Sequence, residues 1–247
     1  MIKTLAVAAI AAFTLIGCST GPSITRPDRP EGTVLVVYQP SHQTDTGRDY
    51  SEAAVCNAIV EAAIATNSGA VKTEKVWSHD VPGLRFGKRG SNTMVAHTTA
   101  VVGDSLTGYA WELKTSNTLQ PFVFVSIHNN GGTNRHAIWG FIHEGDQYEA
   151  ANREFATELV EAIADVTDLE NRGVLFDSST GRNDYRCSVT GKLAFFSLDE
   201  NVNTAPYRVL LEIGDNGVSR PLLQDPVMQK KMGEAIQRVV ETRFGRK

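Results

Sequence analysis

Beyond its first twenty positions this 247-residue sequence holds no run of about 18 or more apolar residues, so nothing downstream can span a bilayer as a helix. Internal repeats and low-complexity tracts are also missing. Positive charge is not in surplus: 24 Lys and Arg stand against 28 Asp and Glu, for a formal net charge of −4, which argues against nucleic acid as a partner. Gly131-Gly132 is not followed by a helix opening on Lys-Ser/Thr, so it is not a phosphate loop. A local H-E-x-x-H metal helix is likewise absent. Cysteine is scarce, with only three in the chain. What remains is ordinary globular composition, 41% apolar and 21% charged, long enough to bury one large core.

The first residues supply an address. Lys3 precedes an apolar stretch from Leu5 to Ile16 that ends at Gly17 and Cys18. One positive charge, a short apolar segment and a small residue read as a secretory signal, too short for a membrane helix. Leu15-Ile16-Gly17-Cys18 resembles the lipobox of bacterial lipoproteins. That resemblance implies a signal peptide at 1–17, lipidation of Cys18, a mature net charge of −5 once Lys3 is gone, and a lipid-anchored membrane protein. Plain secretion, with Cys18 an incidental thiol, is the alternative. Residues 18–32, rich in Pro, Gly, Ser and charge, read as a tether, and the fold is expected from Thr33 to Lys247 as one domain. Export permits disulfides, yet Cys56 lies in an alanine-rich stretch where a cysteine is usually a small buried hydrophobe, so a Cys56–Cys187 bridge is not expected.

Hydrophobic patterning outlines the elements. Val34 to Tyr38 is a continuous apolar run, and Phe122 to His128, Ala137 to His143 and Val209 to Ile213 are dominated by apolar residues, as expected of strands covered on both faces; Val71 to Trp77 reads as a further strand. Asp49 and Glu52 resemble a capping box for a helix carrying Val55, Ile59, Ala62 and Ala63 on one face. A helix is expected somewhere between Asn92 and Thr115. Another has Phe155, Leu159 and Ile163 at helical spacing, and a last one opens on Asp225-Pro226 and carries Met232, Ile236 and Val240. The alternation predicts an α/β three-layer sandwich: a mostly parallel or mixed central sheet with helices on both faces.

In such sheets function collects beyond the carboxyl ends of the strands. Four residues qualify: His42, just after the first strand; Glu52, opening the next helix; His128, ending the Phe122 strand; and Glu212, inside the apolar Val209 strand. A carboxylate in such a strand must be paired, protonated or functional, because burying it alone is very costly. Two histidines and a carboxylate leave one position open on a tetrahedral zinc. Each also has a structural reading, His42 as a loop residue, Glu52 as a capping residue and His128 as a strand-end histidine bonded to backbone. Asp45 would orient His42 or cap its turn, Arg172 would hold a substrate carboxylate or stay on the surface, and His136 lies within reach of the site or on a loop. His79, His97 and His143 read as surface or satisfied polar residues.

Val36-Val37-Tyr38-Gln39-Pro40-Ser41-His42 with Asp45, Gly47 and Glu52, Ser126-Ile127-His128-Asn129-Asn130, Asn171-Arg172-Gly173-Val174, and Leu211-Glu212-Ile213-Gly214 with the leucine-rich run into the last helix occur in one order. They resemble the motifs of the zinc-dependent N-acetylmuramoyl-L-alanine amidases of the amidase-3 type. The chain differs from that pattern at Ser41, Gln43 and Thr44, and at Asp215-Asn216. The resemblance implies a Zn2+ cofactor held by His42, Glu52 and His128, Glu212 as the catalytic carboxylate, and hydrolysis of the amide between N-acetylmuramic acid and L-alanine in peptidoglycan. Another zinc peptidase or amidase, or a non-catalytic envelope-binding lipoprotein, are the alternative functions.

Overall fold

The computed structural model describes residues 24–44, 46–81, 108–180 and 185–246; Cys18, Asp45 and His97 lie outside the described residues. In chain order the elements are β1 (Leu35–Pro40), α1 (Glu52–Ala65), β2 (Lys72–Lys75), α2 (Gly108–Leu119), β3 (Val123–Asn130), β4 (Ala137–Ile142), α3 (Glu149–Val166), β5 (Glu170–Phe176), β6 (Tyr185–Arg186), β7 (Leu193–Ala194), β8 (Tyr207–Asp215), α4 (Arg220–Leu223) and α5 (Pro226–Phe244). Six strands form one sheet in the order β2-β1-β3-β8-β4-β5, and β6 and β7 pair separately. Neighbours in the large sheet run parallel except β4 against β8. The expected mixed, mostly parallel sheet is therefore present.

Alternation within the strands divides the core in two. Val36, Tyr38, Val123, Val125, Ile127, Val209, Leu211 and Ile213 point to the face covered by α1, α3 and α5. Val37 and Phe124 point the other way and meet Ala110 and Leu113 of α2, together with Phe196. Further along that second face Trp139, Phe141 and Leu210 are covered by Leu198 and Phe195, which belong to irregular chain. Helices thus cover both faces, as expected, but the second face is only half helical.

Tight helix packing fixes α1. A Cβ on Gly233 of α5 would lie 2.5 Å from the Ile59 carbonyl oxygen and 2.7 Å from Ala62 Cβ, so only glycine lets α5 approach the alanine-rich α1 this closely. Asp225 caps α5 by accepting from the Val227 N–H at 2.8 Å, with Pro226 in its first turn. The capping-box reading of α1 is corrected: Ser51 is the cap, accepting from the Ala54 N–H at 3.2 Å, while Asp49 sits outside the helix at φ 56°. Ser51 takes the role because its hydroxyl lies one residue before the first turn, and Glu52 is left free to point elsewhere. Asn171 to Val174 belongs to a strand, β5, whose first half is exposed and polar and whose Val174 and Phe176 pack against the core.

Residues 24–32, the described part of the expected tether, lie against the domain. Arg26 pairs with Glu154 of α3 at 2.8 Å and the Arg29 guanidinium donates to the Phe244 carbonyl. Cys56 and Cys187 are both buried and unbridged.

Candidate active site

Four neighbouring elements bring the expected residues to one edge of the sheet. β1 ends at Pro40, and the chain turns there, with the Ser41 N–H donating to the Ile127 carbonyl at 2.8 Å; that turn sets His42 beside the end of β3. Glu52 enters α1 with its N–H donating to Thr46 Oγ1 at 3.0 Å, and its buried carboxylate reaches across to His128. His128 Nδ1 lies 3.0 Å from Glu52 Oε1, which also accepts from the Asn129 N–H at 3.3 Å. His128 and Glu212 are register partners on β3 and β8, and the ladder is irregular just beyond them, between His128 and Asn130. The ring of His42 stands 6.3 Å from that of His128, edge on, and stacks on Tyr109 at 5.0 Å.

Asn129 locks this corner. Its side chain accepts from the Tyr50 hydroxyl at 2.6 Å and donates to the Ile213 carbonyl at 2.8 Å, tying α1's entrance to β8. Beyond β8, Gly214 at φ +68° turns the chain, and a Cβ there would meet Ser219 Cβ at 2.8 Å. Asp215 then gathers the loop after β3, accepting from Thr133 N–H and hydroxyl, both at 2.7 Å, and from the Gly217 N–H at 2.8 Å. Burial pushes its pKa up, but these donors outweigh burial and hold it below the usual carboxylate value.

Glu212, half-buried, opens on a cavity of about 420 Å³ lined by Asn130, Thr133, Arg135, Trp139, Phe141 and Phe195 among others. Arg172 does not line it. It forms an exposed pair with Glu170 on β5 at 2.8 Å, because β5 is the sheet's outer edge, so its surface reading holds. His136 is held between Ser219 Oγ and Asp168, and His79 Nε2 lies 2.9 Å from the His42 carbonyl oxygen.

The sequence reading missed Glu112. This fully buried carboxylate of α2 accepts from Gln39 Nε2 at 2.7 Å and from the Ser78 N–H and hydroxyl at 2.8 and 2.6 Å. Its Oε2 is 3.5 Å from His42 Nδ1. Ser126 completes the row by donating to Gln39 Oε1 at 2.8 Å. Gln39 and Ser126, polar residues in apolar strands on the face that receives α2, were the available signal.

Zinc fits this donor set. Glu52 Oε1 and His128 Nδ1 are 3.0 Å apart, close to the roughly 3.3 Å between two ligands of one tetrahedral zinc. His42 Nδ1 is buried without a hydrogen-bond partner and faces the Glu112 carboxylate, so Nε2 is the ring nitrogen that would be available to a metal. Burial lowers the His128 pKa, but the hydrogen bond and charge of Glu52, with the charges of Glu212 and Glu112, raise it overall. Three carboxylates converging on two imidazoles make a negative pocket that a cation would balance.

The class of protein follows from a family match, with which the fold agrees. Residues 89–242, more than half the chain, match the N-acetylmuramoyl-L-alanine amidase family of the amidase-3 type, and the chain belongs to that family. Its activity is hydrolysis of the N-acetylmuramoyl-L-alanine amide of peptidoglycan. The matched span contains His128 and Glu212 but begins after His42 and Glu52. Among solved structures the chain is similar to the N-acetylmuramoyl-L-alanine amidase AmiC2 of Nostoc punctiforme, at 19% identity over 86% of this chain and 97% of that one, with a TM-score of 0.57. It is similar to the catalytic domain of CwlV from Bacillus (Paenibacillus) polymyxa var. colistinus, at 17% identity over 85% and 98% of the two chains, TM-score 0.55. Cwp6 from Clostridium difficile aligns at 20% identity over 88% of this chain and 31% of its own, TM-score 0.60. No curated protein sequence matches.

Proposed function

We propose that this amidase is zinc-dependent, that His42, Glu52 and His128 hold the ion, that Glu212 is its acid and base, and that a lipid on Cys18 anchors it to a membrane of the bacterial envelope. The observation that carries the reading is Glu212 standing beside His128 across the β3–β8 ladder, with Glu52 in contact with that same histidine and the cavity open in front of Glu212. When bound, zinc polarises the scissile carbonyl and brings the pKa of water at its open position toward about 7. Glu212 takes the proton from the attacking water on a carboxylate oxygen, then delivers it to the departing L-alanine nitrogen. Glu112 orients His42 through Nδ1, and the Asn129 N–H orients Glu52. Trp139, Phe141 and Phe195 give the cavity an apolar wall that keeps bulk water off the reacting bond, while Arg135 at its rim offers a cation to a stem-peptide carboxylate.

The address supports the same reading, since an anchor on Cys18 would hold the domain beside its wall substrate. Among the described residues no helix is long and apolar enough to cross a membrane. The test is mass analysis of muropeptides released by zinc-loaded protein, which should yield peptide-free glycan ends. Intact muropeptides would defeat the catalytic reading. Cys18→Ala should move the protein out of the membrane fraction, and unchanged retention would defeat the anchor.

A further inference from the structure

A second histidine–carboxylate cluster lies away from this site. His143, just past the end of β4, is buried, with Nδ1 2.9 Å from Asp177 Oδ2. The Asp177 carboxylate also accepts from the Phe195 N–H at 3.0 Å and the Ser178 N–H at 2.8 Å, so it is an acceptor and His143 Nδ1 is the donor. In the neutral ring this puts the lone pair on Nε2. Nε2 is buried with no hydrogen-bond partner, and it faces Asp199 Oδ2 at 3.9 Å. Ligand atoms of His143, Asp199 and Cys187 all lie within 4.8 Å of one another, and all three residues are buried.

With a neutral ring and a deprotonated sulfur, a lone pair, a carboxylate oxygen and a thiolate point at one another, and a bound cation would compensate that arrangement in place of protons. The surroundings are built for one. Asp177 behind His143 is the carboxylate–histidine pairing that orients a metal ligand. The Thr190 N–H and Asn201 Nδ2 approach Cys187 Sγ at 3.5 and 3.9 Å, placing donors where a thiolate's charge would need them. Asn201 also donates to Asp199 Oδ1 from its backbone N–H, at 2.8 Å, and from its side chain, at 2.7 Å, holding that carboxylate in place. A tetrahedral N, S, O set has ligands roughly 3.4–3.6 Å apart, so inward movements of about half an ångström per side chain close the site.

We propose that His143, Cys187 and Asp199 bind a second metal ion of the zinc class, thiolate and imidazole being the ligands that select it over calcium or magnesium. The site is separate from the catalytic one. Trp139 pairs with Glu212 in the β4–β8 register, and His143 is four residues further along, roughly 13 Å at strand rise. Its ligands join the end of β4 to the irregular chain that carries Phe195 and Leu198 over the second face, so the ion would brace the wall of the cavity on which Glu212 opens.

Cobalt(II) separates the two sites, because a cobalt–thiolate bond gives a near-ultraviolet charge-transfer band and the proposed catalytic set contains no sulfur. Full-length protein loaded with cobalt should show the band, keep it in His42→Ala and Cys56→Ser, and lose it in Cys187→Ser. If Cys187→Ser fails to fold, His143→Gln should lose the band in its place, and Asp199→Asn should weaken cobalt binding at least tenfold. Folded wild-type protein without the band overturns the proposal, as does a band that survives Cys187→Ser. A band lost in His42→Ala would likewise assign the sulfur to the other site. Failure of the catalytic zinc reading would instead appear as unchanged metal content in His42→Ala, leaving the band untouched.

Discussion

The two clusters both pair histidine with carboxylates, only the second adding a cysteine, and they differ in access. At the β3–β8 edge Glu52 is buried against His128, but Glu212 is half-buried and opens on a cavity, and His42 rests on Tyr109 and Glu112 at its margin. Around His143 every member is sealed, with His143, Asp177, Cys187 and Asp199 at 0–2% exposure. A centre that must admit substrate keeps one carboxylate facing solvent-accessible space. A centre that only holds shape closes over its ligands, and its polar atoms must then be satisfied from within.

The sharpest break of that comparison is at the open cluster. Glu212→Gln keeps the side chain's size but cannot accept a proton, so muropeptide release should fall by about 10²–10⁴-fold while metal content and melting temperature stay at wild-type values. Near-normal release would make Glu212 structural and erase the difference between the clusters. Next in size is Glu112→Gln, which removes the charge behind His42. Zinc affinity, measured by competition with a chelator, should drop about 10- to 100-fold, and the cobalt–thiolate band should not change.

Asp215→Asn probes the loop beside the open cluster and not its chemistry. The native Asp215 pKa lies below its ordinary value of 3.8, so its stabilisation is present above about pH 4 and lost as the pH falls through the folded value. Asparagine should cost about 1.5 kcal/mol at pH 7 by denaturant titration, and the gap from wild type should narrow below pH 4. The smallest effect is expected from Arg172→Ala. Its exposed pair with Glu170 is worth at most about 0.5 kcal/mol, and muropeptide release should not move; a loss of activity would return Arg172 to the substrate side.

The two clusters also differ in how far they could be read before folding. β1, β3 and β8 are sheet interior, so they appear as mostly apolar segments, and His42, His128 and Glu212 stand out because each interrupts or follows one. Glu52 was visible for its place at a helix start, although Ser51 and not Asp49 proved to be the cap. Glu112 was not visible, since a charged residue on a helix ordinarily faces water; its burial follows from Gln39 and Ser78 meeting it from two separate segments, with Ser126 holding Gln39 from behind. His143 was read as surface or satisfied for a related reason. Its partners Asp177, Cys187 and Asp199 come from chain with almost no regular structure, where periodicity gives no sign of which residues are inside. β5 escaped because an exposed edge strand has little apolar face to display.

The glycine-permitted contact between α5 and α1 bears on timing. α1 carries Glu52, and the surface it presents to α5 is covered by residues 226–244, which are about 170 positions later in the chain. Chains are made and exported from the amino end, so the helix that carries Glu52 waits for its partner until nearly the whole domain has emerged. A wall-cutting enzyme assembled in that order stays inert while it is still being threaded, and a chain cut short before Gly233 should never acquire the power to open the wall.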